Sequence, residues 1–173
     1  TMNFWIHGKN EQLKGILQKV DVLFIDEGEA RDLANTVNLV QCAEIIAALG
    51  PKTIVIKRGE HGIIMFHENS MFAIPAFPVK NVIDPTGAGD AFAGGFLGHI
   101  AATGDFSHQN IRKAAVIGSV MGSFAVEQFS LDGIRYLCET DIKDRFLALK
   151  NLTEFATWDT KDLLPLRDEV SKH

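Results

Sequence analysis

Cysteine is scarce: Cys42 and Cys138 are the only two in 173 residues, and they lie far apart. That excludes a disulfide scaffold and a Cys-x-x-Cys metal motif. Long apolar runs are missing as well. No stretch is long enough to span a bilayer and none has the layout of a secretory signal, so the expectation is a cytoplasmic chain without a membrane partner. Positive charge is thin: 17 Lys and Arg stand against 22 Asp and Glu, a net charge of −5. No large basic field is available to pair with phosphates, which argues against nucleic acid as a partner. The six histidines are scattered, and none is spaced with carboxylates as a zinc site requires. His61, between Gly59 and Gly62, reads as an exposed turn residue. Internal repeats and low-complexity tracts are absent too.

What remains is ordinary globular material. Hydrophobic residues make up 46% and charged residues 23%, and the length fits one domain with a sizeable core. The opening "TMNFWI" is apolar from its second residue. A chain that starts inside a hydrophobic run reads as part of something longer.

Strand and helix signals then alternate. Met2–His7 reads as a strand and Asn10–Val20 as a helix with Leu13, Ile16, Leu17 and Val20 on one face. Asp21–Asp26 is a short buried strand. Glu27–Asn35 and Leu39–Leu49 are helices, the second stopped by Gly50-Pro51 and carrying Cys42 on its apolar face. Thr53–Lys57 is another buried strand, and "IIMFH" pairs with "SMFAIPA" across Glu68-Asn69 as a hairpin. Helices follow over Ala88–Thr103, Ser107–Val126 and Ile142–Leu152, and residues 153–173 form a polar tail. This alternation predicts an α/β fold, with a mainly parallel sheet, helices on both faces and residues 1–152 in one domain.

The densest chemistry lies in "NVIDPTGAGDAFAGGF", Asn81–Phe96. Gly87 and Gly89 flank Ala88, so the backbone there can take unusual dihedrals and come close to a ligand. The turn feeds a helix whose first N–H groups lack internal partners and carry the positive end of the dipole. Together they make an anion site without any basic side chain. Asp90 falls in the first turn, where an acid is also commonplace for its dipole interaction alone. An anion and a carboxylate repel, unless they serve opposite ends of one phosphoryl transfer. The N–H groups of Gly87, Ala88 and Gly89 would then hold charge on the phosphoryl group, and Asp90 would accept the proton of the attacking hydroxyl.

"DPTGAGDAFAGGF" resembles the C-terminal signature of the PfkB/ribokinase family of carbohydrate and nucleoside kinases, and "DEGEA" (Asp26–Ala30), "KRGEHG" (Lys57–Gly62) and "GSFAVEQFSLDG" (Gly122–Gly133) resemble further family segments in the same order. The resemblance implies a ribokinase-like fold, of which this chain carries the C-terminal part without the upstream strands and lid. It implies ATP-dependent phosphorylation of a sugar or nucleoside hydroxyl, with Asp90 as base and the Gly87–Gly89 turn as anion hole. Lys57, Gly59 and Gly62 would border the nucleotide. Ser119 and Ser123 would lie near adenine, or would simply allow close helix packing. Glu29 would organise magnesium through water; Asp26 stands where the family usually has asparagine. Asp84 and Thr86 would bind a monovalent cation, often potassium, although Asp84 also suits a turn cap before Pro85. A sheet edge left by absent strands predicts a homo-oligomer. The alternatives are a non-catalytic nucleotide-binding or assembly module and an inactive fragment of a kinase.

Overall fold

The computed structural model of the chain describes residues 3–156; residues 157–173, most of the expected tail, lie outside them. Helices α1 (Asn3–Gly8) and α2 (Asn10–Leu17) precede strand β1 (Val22–Asp26). Helices α3 (Glu27–Ala34) and α4 (Leu39–Ala47) lead to β2 (Thr53–Lys57), and one short 3-10 turn, Gly59–His61, to the hairpin β3 (Ile63–His67) and β4 (Ser70–Ile74). Helices α5 (Ala88–Thr103), α6 (His108–Ala125) and α7 (Glu139–Thr153) complete the described chain.

The sheet has the order β1-β2-β3-β4. β1 pairs with β2 in parallel, whereas β2–β3 and β3–β4 are antiparallel. The α/β architecture is as expected, but the sheet is mixed rather than mainly parallel. Parallel pairing needs a crossover of a dozen or more residues. α3 and α4 supply one between β1 and β2, while the turns after Lys57 and His67 are too short for another.

Side-chain alternation sorts the core into two layers. Leu23, Ile25, Ile54 and Ile56 face α1–α4, with Cys42 and Ile46 packed over them. Val55, Ile63 and Met65 face the other way, beneath Phe92 and Phe96 of α5 and Ile111 of α6. Phe24 meets Phe96 edge to face at 5.3 Å on that second side. Helices therefore cover both faces, and β2 alone is buried on each. Burial also pushes the Cys42 thiol above its usual range, as befits a packing residue.

Three segments differ most from expectation. Met2–His7 was read as a strand, but Asn3–Gly8 is helical. Ile6 is buried while Phe4 and Trp5 stay exposed, so one side of a helical turn meets the core. A helix also satisfies its own backbone groups without a neighbouring strand. α2 stops at Leu17, short of Val20. α7 begins at Glu139 because Cys138 serves as N-cap, with Asp141 Oδ2 accepting from the Cys138 N–H at 2.9 Å and from its thiol at 3.0 Å. Cysteine is not among the usual capping residues.

Gly62 closes the β2–β3 turn at φ +81°, and a Cβ there would stand 2.1 Å from the carbonyl oxygen of Ile74. Gly62→Ala should therefore destabilise the protein by about 2–4 kcal/mol, from left-handed strain plus a backbone clash. Urea denaturation measures it, and a loss below about 1 kcal/mol would show that the turn relaxes freely.

Candidate active site

The C-terminal ends of β1 and β2 open onto a cleft of about 750 Å³. Asp26 and Lys57, the last residues of those strands, are register partners and both line it. Gly59 and Gly62 form one rim, and Ala88 and Gly89 of α5 form the facing wall. Ser119, Gly122 and Ser123 of α6 lie along the same cleft, and Phe77, Val79, Val82 and Val126 add an apolar surface.

The α5 N-terminus is built as the glycines suggest. Gly87 adopts φ +82°, ψ −4° at the N-cap, and no side chain caps the helix. Among the described residues the amides of Gly89 and Asp90 have no hydrogen-bond partner, while the Ala88 amide reaches Pro85 O at 3.3 Å and the Ala91 amide Gly87 O at 2.8 Å. One expectation is corrected here. The anion site was expected to work without a basic side chain, yet a Cβ on Gly89 would stand only 2.5 Å from Lys57 Nζ. The ammonium lies against the bare helix turn and adds a full positive charge to the dipole. Asp90 is the next residue and is exposed to solvent.

Asp26 and Glu29 form a capping box at the start of α3. The Glu29 N–H donates to Asp26 Oδ1 at 2.8 Å, and the Asp26 N–H donates to Glu29 Oε2 at 3.3 Å. Glu29 is only 6% exposed. Burial raises its carboxyl above the ordinary value, against the bond from the Asp26 amide and the charge of Lys57, both of which lower it. Asp26 lines the cleft, whereas Glu29 is not among the lining residues.

Asp84 closes a short turn. Its Oδ1 accepts from the Thr86 N–H at 2.9 Å. The Thr86 amide and hydroxyl, then the Ser130 amide, hold its carboxyl below the usual range. The Ile83 and Asp84 amides donate to Val126 O at 2.8 and 3.3 Å, which ties this turn to the end of α6. Fold and backbone thus bring Ser130 to Asp84.

The serines play two parts. Ser119 Oγ donates to Ala115 O at 3.0 Å and Ser123 Oγ to Val120 O at 2.7 Å, so both hydroxyls are returned to their own helix. Close packing also holds: a Cβ on Gly118 would stand 2.8 Å from Phe92 O. Both serines nevertheless line the cleft.

The sequence profile described as "pfkB family carbohydrate kinase" matches residues 3–133. The chain belongs to the pfkB family. Among curated relatives, the cytidine kinase of Thermococcus kodakarensis is 38% identical over 91 residues, covering 51% of this chain and 32% of that protein. The nucleoside kinase of Methanocaldococcus jannaschii is 29% identical over 119 residues, covering 68% and 36%. The chain spans about a third of the length of these relatives. Among solved structures, aminoimidazole riboside kinase from Salmonella enterica, complexed with aminoimidazole riboside and an ATP analog, superposes with a TM-score of 0.71 at 21% identity, over 81% of this chain and 46% of that one. Fructokinase from Vibrio cholerae, in a form binding fructose, ADP and calcium, gives 0.71 at 23% identity, over 79% and 44%. These likenesses establish the ribokinase-like fold.

Several residues of this pfkB-family cleft carry no signal in sequence. Phe77, Val79 and Val82 precede the glycine motif in a segment with no regular structure. Arg145 of α7 gives no signal either; it lies outside the lining but holds residues that form it. Its Nη1 donates to Glu127 Oε2 at 2.5 Å and to Ser123 Oγ at 3.2 Å. Its guanidinium also lies 3.5 Å from the Phe124 ring centroid and 5.0 Å from that of Phe77. One planar cation thus fixes α7 against the two elements that wall the cleft.

Arg145→Ala should cost about 2–3 kcal/mol in chemical denaturation, since the stacking is lost and Glu127 is left partly buried without its partner. Arg145→Lys should recover only part, because an ammonium cannot stack and bond in the same plane. Full recovery by lysine would reduce the residue's role to charge alone.

Proposed function

We propose that the protein carrying this chain transfers the γ-phosphoryl group of ATP to a hydroxyl of a sugar or nucleoside. The observation that carries the proposal is the α5 N-terminus: a carboxylate, Asp90, beside free amides and the Lys57 ammonium. Family membership supports the reaction class, and the activities of the relatives, cytidine and nucleoside kinases among them, support the acceptor class.

In this reading Asp90 accepts the proton of the attacking hydroxyl, and exposure leaves its carboxylate open to an acceptor arriving from solvent. The amides of the Gly87–Gly89 turn and Lys57 Nζ hold the charge that builds on the transferred group and on the bridging oxygen. Lys57 thereby becomes a phosphate-binding residue, while Gly59 and Gly62 border the nucleotide. Phe77, Val79, Val82 and Val126 offer the apolar surface on which a planar base would stack, with Ser119 and Ser123 beside it.

The residues fit magnesium: Asp26 lines the cleft as a hard oxygen donor, and Glu29, buried behind it, would act through water, which suffices because magnesium needs only one or two carboxylates and keeps much of its water. Bound there, the ion would neutralise phosphate charge. Asp84 and Thr86 would hold a monovalent cation close to the anion turn and stiffen it.

Asp90→Asn in the full-length parent should lower kcat by about 10²- to 10⁴-fold, the usual share of a general base, with ATP affinity nearly unchanged; parental turnover at saturating substrates would remove Asp90 from the reaction. The parent should lose most activity without magnesium and be stimulated by potassium over sodium. Asp84→Ala should abolish the potassium response and leave the magnesium requirement. A rate that stays flat as potassium is titrated at constant ionic strength would reduce Asp84 to a turn cap.

A further inference from the structure

At the opposite end of the sheet from the cleft, two neighbouring side chains meet a third from a distant segment. His67 ends β3, Glu68 opens the hairpin turn, and His108 is the first residue of α6. One potential ligand atom from each lies within 4.8 Å of the other two. The distance along β2 from Lys57, at the cleft, to Thr53, opposite His67, is about 13 Å at the strand rise. Sequence spacing gave no sign of this group, because His108 comes from a distant segment.

The surroundings orient both rings. Thr53 Oγ1 is 2.9 Å from His67 Nδ1, across a register pair of β2 and β3. Ser70 Oγ is 3.0 Å from His108 Nδ1. The Ser70 hydroxyl spends its proton on His67 O at 3.1 Å, so toward His108 it can only accept. A hydrogen on Nδ1 follows, and a neutral His108 then carries its lone pair on Nε2. That nitrogen faces Glu68 Oε2 at 3.4 Å. Two acceptors pointing at each other need a cation between them or a proton on the ring.

The first answer has the right dimensions. Tetrahedral zinc, with bonds of about 2.0–2.2 Å to nitrogen and oxygen, holds neighbouring ligand atoms about 3.4 Å apart. Metal-bound histidines characteristically have the second ring nitrogen held by a hydrogen bond, which fixes the tautomer; here a hydroxyl occupies Nδ1 on each ring. His67 is buried and packed edge to face on His108 at 4.8 Å, so its position is set by the sheet. Glu68 and His108 are exposed and free to close the remaining gap.

We propose that His67, Glu68 and His108 bind one divalent transition-metal ion of the zinc type, joining the β3–β4 turn to the start of α6. Two imidazoles and a carboxylate favour zinc, nickel or copper over magnesium or calcium, which select all-oxygen sets. Three protein ligands leave a position for water. The proposal is independent of phosphoryl transfer.

The test uses the intact protein, stripped with chelator and free of nucleotide. Titration with Zn²⁺ by calorimetry should show one ion per chain, and Co²⁺ should give the visible absorption of a low-coordinate site. Zn²⁺ should also raise the melting temperature. His108→Ala and Glu68→Gln should each weaken Zn²⁺ binding by at least about 100-fold, beyond the roughly 10- to 100-fold expected for losing an outer partner, and Ser70→Ala by about 10-fold. His61→Ala, at an exposed histidine elsewhere, should change nothing. His67 is left intact because its burial makes a folding defect the trivial result. Absence of stoichiometric Zn²⁺ binding, or binding that survives His108→Ala with the fold intact by circular dichroism, would overturn the site. An elevated His108 pKa in an NMR titration that Zn²⁺ does not perturb would assign the contact to a proton instead.

Discussion

The parallel register of β1 on β2 governs the chemistry of this chain. Val22 faces Thr53 and, four residues later, Asp26 faces Lys57. Both strands thus end level, with opposite charges side by side. Each end serves a helix: Asp26 caps α3, and Lys57 reaches across to the uncapped start of α5. A slip of one residue would turn every side chain to the opposite face. Ile25 and Ile56 would leave one core layer, Val55 would leave the other, and the ammonium would no longer reach Gly89. Hydrophobic sorting along the strands and charge placement at their ends are enforced by the same set of backbone bonds.

The second constraint is the contact between α5 and α6. A Cβ on Gly95 would stand 2.7 Å from Met121 Cγ, and one on Gly118 would meet Phe92 O at 2.8 Å. These near-contacts let two helix backbones approach more closely than ordinary side chains permit. The cost of glycine in a helix, about 1 kcal/mol each relative to alanine, is offset by burying Phe92 and Phe96 under the sheet. The same approach shapes the cleft, since Ala88 and Gly122 both line it and pack closely: a Cβ on Gly122 would stand 3.2 Å from Ala88 O.

Much of this was legible in the residues. Thr53–Lys57 and Ala88–Thr103 read correctly to the residue, one from a short β-branched run and the other from a glycine turn followed by a Phe92, Phe96, Ile100 stripe. The α1 segment did not, because periodicity cannot separate a short apolar strand from one turn of helix. The β3–β4 hairpin was read correctly, but the balance of the sheet was misjudged for a related reason, since β2–β3 is antiparallel as well. Alternating elements suggest parallel strands, but connection length decides, and the two short turns after β2 and β3 reverse the chain. The glycine turn, Asp90 and the Asp84 segment stood out as a contiguous motif. Lys57 beside Gly89, Arg145 stacked on Phe124, and His67 beside His108 did not, for each joins residues from different elements and needs the register before it can be seen.

The strand order β1-β2-β3-β4 is also the order of the strands along the chain. No strand has to wait for a distant segment to arrive and insert between two others. Folding rate falls as contacts become more distant in sequence, because loop closure must precede the contacts that reward it. Here the largest closure is the one spanning α3 and α4, and every later addition joins a neighbour already at hand. Among the described strands, each can therefore be templated on the one before it.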